Sequence, residues 1–157
     1  MPSLVRQKAA PLEMKLHPTR SVLLADDDED DCSLFQEALN EIALSTQLTT
    51  VHNGEQLMQQ LEKSTSELPD VVFLDLNMPR KNGFDCLTEI KQNKKLTQLD
   101  VIIISTSFQQ EVADLLYKNG ARYFIRKPND FQDLKKIINQ ALTIINVRST
   151  IETFVLT

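Results

Sequence analysis

The sequence predicts an α/β fold: a doubly wound parallel sheet of five strands with five helices spread over both faces. Three observations lead there. Short apolar runs of strand length alternate with segments of helical periodicity along the chain. Each link between successive runs holds a helix, as a parallel crossover requires. Several runs also end at their carboxyl side in charged or hydroxyl residues, at the edge where open α/β sheets bind ligands.

The clearest run is Val71-Val72-Phe73-Leu74, which ends abruptly in Asp75. A stretch apolar on successive residues fits a strand buried on both faces. Leu76-Asn77-Met78-Pro79 follows, and Pro79, with no N–H to donate, stops any ladder there.

Composition sets the bounds. The chain has 157 residues, 41% hydrophobic and 25% charged, which suits one ordinary globular domain. A net charge of −5 argues against general nucleic-acid binding, which needs a basic face. No apolar run approaches a bilayer span, and the N-terminus lacks the apolar core of a signal peptide. Cys32 and Cys86 fall in predicted helices without metal-ligand spacing, so they read as buried thiols of a cytoplasmic protein. His17 and His52 lie far apart and form no zinc motif.

In chain order, residues 1–19 carry Pro2, Pro11 and Pro18 and no clean periodicity, so they read as a mobile extension or a short helix outside the domain. Residues 20–146 form the domain. Ser21 to Ala25 is the first strand. It runs into Asp26-Asp27-Asp28-Glu29-Asp30-Asp31. Asp28 suits a helix N-cap, and the next three acids suit a first helical turn. Asp26 and Asp27 precede the helix, and adjacent carboxylates there call for a cation. The helix places Leu34, Phe35, Ala38, Leu39 and Ile42 on one stripe. A weaker strand, Gln47 to His52, turns through Asn53-Gly54 into a helix bearing Leu57, Met58 and Leu61, with His52 at the surface.

After the central strand, Arg80-Lys81-Asn82-Gly83 makes a polar turn into a helix carrying Phe84, Leu87 and Ile90 inward, with Lys91, Lys94 and Lys95 facing water. Val101 to Ile104 is the fourth strand, ending in Ser105-Thr106-Ser107. Ser107 and Gln110 have capping-box spacing for a helix through Val112, Leu115 and Leu116, which Gly120 closes. One hydroxyl of Ser105 or Thr106 must then face the edge where the acids lie. Arg122 to Arg126 is the fifth strand, with Phe124 central and Lys127-Pro128 after it. Asn129 or Asp130 caps a last helix with Phe131, Leu134, Ile138, Ala141 and Ile145 on one face. Residues 147–157 are an apolar tail that packs on the domain or on a second copy.

The strand ends together carry Asp26 and Asp27, Asp75, Ser105 and Lys127. Hard oxygen ligands around a small site suit Mg²⁺. Asp27, Asp75 and a backbone carbonyl such as that of Asn77 would ligate it, with Asp26 acting partly through water. The cluster fits phosphoryl transfer to Asp75, a carboxylate nucleophile expected to be ionised at neutral pH. Lys127 would offset the phosphoryl oxygens, and Ser105 would donate a hydrogen bond to one of them. Three glycines with no Gly-rich phosphate loop argue against a dinucleotide-binding or P-loop domain.

This ordered set resembles the receiver domain of two-component response regulators, over residues 20 to 145. The pieces are Asp-Asp after strand one, Asp-Leu-Asn-Met-Pro after strand three, Ser-Thr after strand four and Lys-Pro after strand five. The resemblance implies a flavodoxin-like sheet of order 2-1-3-4-5. It implies Asp75 as phosphoacceptor, Asp26, Asp27, Asp75 and the Asn77 carbonyl around Mg²⁺, and Lys127 as the phosphate-binding lysine with a cis bond to Pro128. Ser105 takes the switch hydroxyl position and Phe124 the switch aromatic position, where the ring enters space that Ser105 vacates.

By the same resemblance the chain is a stand-alone bacterial signalling switch, not a substrate-turnover enzyme. A sensor histidine kinase or a histidine phosphotransfer protein supplies the phosphate. A target protein, or a second copy, binds the helix 4/strand 5/helix 5 face, and the C-terminal tail is a second route to a homodimer. An alternative is a relay intermediate that passes phosphate to a histidine phosphotransfer protein. A Mg²⁺-dependent phosphatase of the haloacid-dehalogenase type would want an acid/base Asp two residues after Asp75, where this chain has Asn77.

Overall fold

The computed structural model describes residues 20–63, 67–147 and 154–157. In chain order the elements are β1 (Arg20–Ala25), α1 (Glu29–Glu41), β2 (Thr46–Val51), α2 (Gly54–Lys63), β3 (Val71–Asp75) and α3 (Gly83–Gln92). Then come β4 (Asp100–Ser105), α4 (Gln110–Lys118), β5 (Tyr123–Arg126), α5 (Phe131–Val147) and β6 (Val155–Leu156). The sheet is wholly parallel with order β2-β1-β3-β4-β5-β6. The expected five strands lie in the expected order, and a sixth short strand joins them at the β5 edge.

The apolar runs show no alternation because both faces are covered. In β3, Val71 and Phe73 face a core built with α1 and α5, where Phe35 meets Phe73 edge-on at 4.9 Å. Val72 and Leu74 face a second core built with Leu57, Leu61, Leu87, Ile90 and Leu116 of α2, α3 and α4. Every residue of β3 is buried. β2 lies at the open edge with one covered face and is correspondingly polar, which is why it is the weakest strand in the sequence.

The caps follow side-chain chemistry. Asp28 accepts from the N–H of Asp31, Asn82 from that of Asp85, and Asp130 from those of Gln132 and Asp133. Asp130, not Asn129, is therefore the residue that caps α5. The Ser107–Gln110 box does not form: α4 is entered through Gln109 without a side-chain cap, and Ser107 turns back to Ser105. Gly120 closes α4 at φ 100°, a left-handed conformation that glycine takes without a Cβ penalty.

Other expectations shift. Leu34 is 41% exposed, since it lies just off the stripe that buries Phe35, Ala38 and Leu39. Leu115 is exposed, while Leu116 is buried. Lys91 does not face water freely. Its ammonium donates to the carbonyls of Thr97 at 3.1 Å and Leu99 at 2.7 Å, and burial lowers its pKa. Phe154 packs edge-on against Tyr117, and Leu156 is buried in the α1/α5 core, so the tail ends on its own domain. Every described peptide bond is trans, including Lys127–Pro128, where the resemblance implied cis. Trans is the ordinary preference of an X–Pro bond, by about 0.5–1 kcal/mol. Residues 1–19 and 148–153 lie outside the described residues, so the reading of the N-terminal extension is not met by structure.

Candidate phosphoryl-acceptor and metal site

The register builds the site. Ala25 pairs with Leu74, which sets Asp26 beside Asp75 at the carboxyl edge. Asp75 pairs with Ile104, which brings Ser105 to the same rim, and Ser105 pairs with Arg126, which puts Lys127 next to it. The N–H of Lys127 donates to the Ser105 carbonyl at 2.8 Å, extending that ladder by one rung.

Carboxylate oxygens of Asp26, Asp27 and Asp75 lie within 4.8 Å of one another. Asp26 and Asp75 are buried and Asp27 is exposed, so the cluster opens outward through Asp27. Three hard oxygen donors converging on one point suit a divalent cation of the Mg²⁺, Mn²⁺ or Ca²⁺ kind. Asp75 responds to its burial first and to its neighbours second. Burial pushes its carboxyl from 3.8 up to about 7; Lys127 opposes the shift, and Asp26 and Asp27 add to it. Without a cation, Asp75 is therefore not the plainly ionised group that its sequence context suggests. A bound divalent cation is the kind of charge that restores ionisation.

The amine of Lys127 is nearly buried. It donates to Asp26 Oδ2 at 2.8 Å and to Asp31 Oδ2 at 2.8 Å. Burial works against its charge, but the hydrogen bonds to Asp26 and Asp31 prevail, and its pKa is raised. No hydrogen bond joins Lys127 to Asp75. The N–H of Asn77 reaches Asp75 Oδ1 at 3.3 Å, and its side chain is exposed.

Ser105 is fully buried. Its Oγ lies 3.3 Å from Ser107 Oγ and accepts from the Ser107 N–H at 3.3 Å. Phe124 is already inside, 1% exposed in the α2/α3/α4 core. Phe108 meets it edge-on at 5.6 Å, and the Arg126 guanidinium lies 5.0 Å from the Phe108 ring. In this structure the Phe124 ring is buried with Ser105 Oγ facing Ser107.

Two residues of the site had no part in it on the sequence reading. Asp31 lies in the first turn of α1, where the helix dipole alone accounted for it, and no local signal tied it to Lys127. Gly83 lies against the backbone of Asp75: a Cβ there would sit 2.5 Å from the Asp75 carbonyl oxygen. Its signal was position, a glycine at the mouth of the helix after β3. His52 is exposed at the same rim, with Nδ1 3.2 Å from the Asp26 carbonyl oxygen. Burial, reinforced by Asp26 and Asp31, pushes the Cys32 thiol up to about 11, so it is inert as a nucleophile.

The carboxyl edge of this parallel sheet thus gathers three carboxylates, a mostly buried lysine and a hydroxyl. The family model for the response regulator receiver domain matches residues 22–139, and the chain belongs to that family. Receiver domains work in two-component systems, where phosphorylation governs signalling. Among individual proteins, response regulator Rcp1 of Synechocystis sp. is 31% identical over 126 residues, covering 78% of this chain and 86% of its own. The phosphorylated cyanobacterial phytochrome response regulator RcpA has a similar structure: TM-score 0.77, 26% identity, 87% of this chain and 100% of that one. The Mn²⁺-bound form of Rcp1 gives TM-score 0.74 at 27% identity, over 85% and 99% of the two chains. No helix among the described residues is long and apolar enough to cross a membrane.

Proposed function

We propose that this protein is a phosphorylation switch whose acceptor is Asp75, charged by a histidine kinase or a histidine phosphotransfer protein in a Mg²⁺-dependent reaction. The observation that carries the reading is the convergence of Asp26, Asp27 and Asp75 within 4.8 Å, with the Lys127 amine held at the edge of the same pocket. The Mn²⁺-bound relative supports a divalent ion at such a site. Asp26, Asp27, Asp75 and the carbonyl of Asn77 would hold the ion. When bound, Mg²⁺ supplies positive charge against the oxygens of the transferring phosphoryl group.

Asp75 supplies the nucleophilic oxygen. A bond forms from it to phosphorus as the donor's bond to phosphorus breaks, and the leaving group keeps that electron pair. Lys127 supplies a second cation for the new phosphoryl oxygens. The phosphoryl group carries about −1.5 to −2 charges but replaces the single negative charge of the Asp75 carboxylate, so the rim gains about one negative charge or less, together with three new acceptor oxygens. The Ser105 hydroxyl then turns from Ser107 to a phosphoryl oxygen, which loosens the loop that carries Phe108. Phe108 packs on Phe124, so the change reaches the face of α4, β5 and α5, where a target protein or a second copy binds.

The test is labelling with a small phosphodonor such as acetyl phosphate. We expect Mg²⁺-dependent, acid-stable and base-labile label on Asp75, none on Asp75→Ala, and weaker label on Asp27→Ala. Label that persists on Asp75→Ala, or that ignores Mg²⁺, overturns the reading.

A further inference from the structure

We propose that Asp31 is a positioning residue: it holds the Lys127 ammonium in the resting site, and its surrender of that ammonium is part of accepting the phosphoryl group. The proposal rests on the function proposed above and deepens it.

The geometry singles out Asp31 from its neighbours. Glu29, Asp30 and Asp31 all fall in the first turn of α1, and all three suit the helix dipole equally. Glu29 and Asp30 are exposed, and neither forms an ion pair among the described residues. Asp31 alone turns toward the site, 2.8 Å from Lys127 Nζ. Its backbone is pinned as well, because its N–H is the one that the Asp28 cap receives at 3.1 Å. The ammonium is therefore clamped between Asp26, buried at the end of β1, and Asp31, on the helix that follows.

An ammonium has three N–H groups, and two are committed here. A phosphoryl group on Asp75 brings further anionic oxygens that need the same cation. Of the two carboxylates, Asp26 is the buried one and keeps a cation beside it, the lysine and the divalent ion when bound, since an unpaired buried charge is costly. Asp31 is partly exposed and can be resolvated, so it is the partner that Lys127 can leave. Asp31 thus competes with the phosphoryl group for one cation. Removing it makes the lysine available in advance.

The experiment compares Asp31→Asn with Asp30→Asn, which loses the same charge from the same helical turn without touching Lys127. The probe is acetyl phosphate with saturating Mg²⁺; Asp75 oxygen bonds phosphorus as the acetyl–oxygen-to-phosphorus bond breaks, and acetate leaves with the electron pair. Asp31→Asn should label faster than Asp30→Asn by about two- to fivefold, the range that a partly exposed ion pair commands. Asp31→Glu should return toward the wild-type rate, and the difference between Asp31→Asn and Asp30→Asn should vanish in a Lys127→Met background. In the metal-free, unphosphorylated protein, the Lys127 ammonium protons should exchange faster with water in Asp31→Asn by NMR. Normal wild-type labelling with equal rates for the two variants overturns this proposal alone, as does an unchanged ammonium exchange rate. A wild-type protein that takes no label on Asp75 overturns the function reading and this proposal with it.

Discussion

At the scale of single residues, the site is a problem in charge accounting. Three carboxylates converge on one point, and a fourth, Asp31, takes a share of the lysine. Asp75 absorbs the strain as a raised pKa, first because it is buried. The consequence for stability has a definite sign. A carboxyl that keeps its proton more firmly folded than unfolded favours the fold below about pH 4 and withdraws that support as pH climbs toward about 7. Metal-free wild type should therefore lose stability between those limits, and Asp75→Asn, which cannot ionise, should lose less. At pH 8 the variant should be the more stable by on the order of a few kcal/mol, with the gap closing toward pH 4, as read by urea unfolding in the presence of a chelator. The sequence named Asp26, Asp27, Asp75, Ser105 and Lys127 because each stands at or just past the carboxyl end of a strand. It could not name the partner of Lys127, because Asp31 and Lys127 are 96 positions apart and meet only through the β1–α1 turn.

At the scale of elements, the strands and helices were legible where burial is complete. β1, β3 and β4 are apolar without alternation because helices cover both faces. What local pattern misjudged lies at boundaries. Ser107 had the spacing of a cap, yet Ser105 offers it a nearer partner and α4 begins without one. Lys91 matched a solvated stripe, yet its stem lies along Gly120 and its amine finds two carbonyls past the helix end. The tail is the largest addition. Val155 and Leu156 pair with Phe124 and Ile125, and the Phe124 N–H donates to the Phe154 carbonyl at 3.0 Å. Two ladder residues cannot hold by themselves, so the burial of Leu156 and the Phe154–Tyr117 contact must hold them. Leu156→Asp should detach the strand, at a cost of about 1.5–3 kcal/mol from lost side-chain burial. The matching readout is faster hydrogen exchange at the Phe124 amide, with the amides of β3 unchanged.

At the scale of the whole molecule, the doubly wound topology turns remote residues into one pocket. Parallel strands bring all their carboxyl ends to the same edge, and the register decides which of the residues there touch. The crowded carboxylates make the folded protein the binding partner of a divalent cation, so metal should raise stability by mass action. With Mg²⁺ at about 100 times its Kd the gain is about 2.7 kcal/mol, read as a rise in Tm. Most of that rise should disappear in Asp27→Ala, which removes a ligand at the exposed mouth of the cluster; a full rise in that variant would place the ion elsewhere.

The sequence by itself determined the fold class and the residues at the strand ends, because hydrophobic period and turn chemistry are local and parallel crossovers need helices; the order of the first five strands came from the resemblance to receiver domains. Only the tertiary structure decided that Lys127 rests between Asp26 and Asp31, that Phe124 is already buried, and that the tail closes the β5 edge. Those are choices among partners of similar chemistry, and they are settled by distance and burial, which the order of residues does not encode one position at a time.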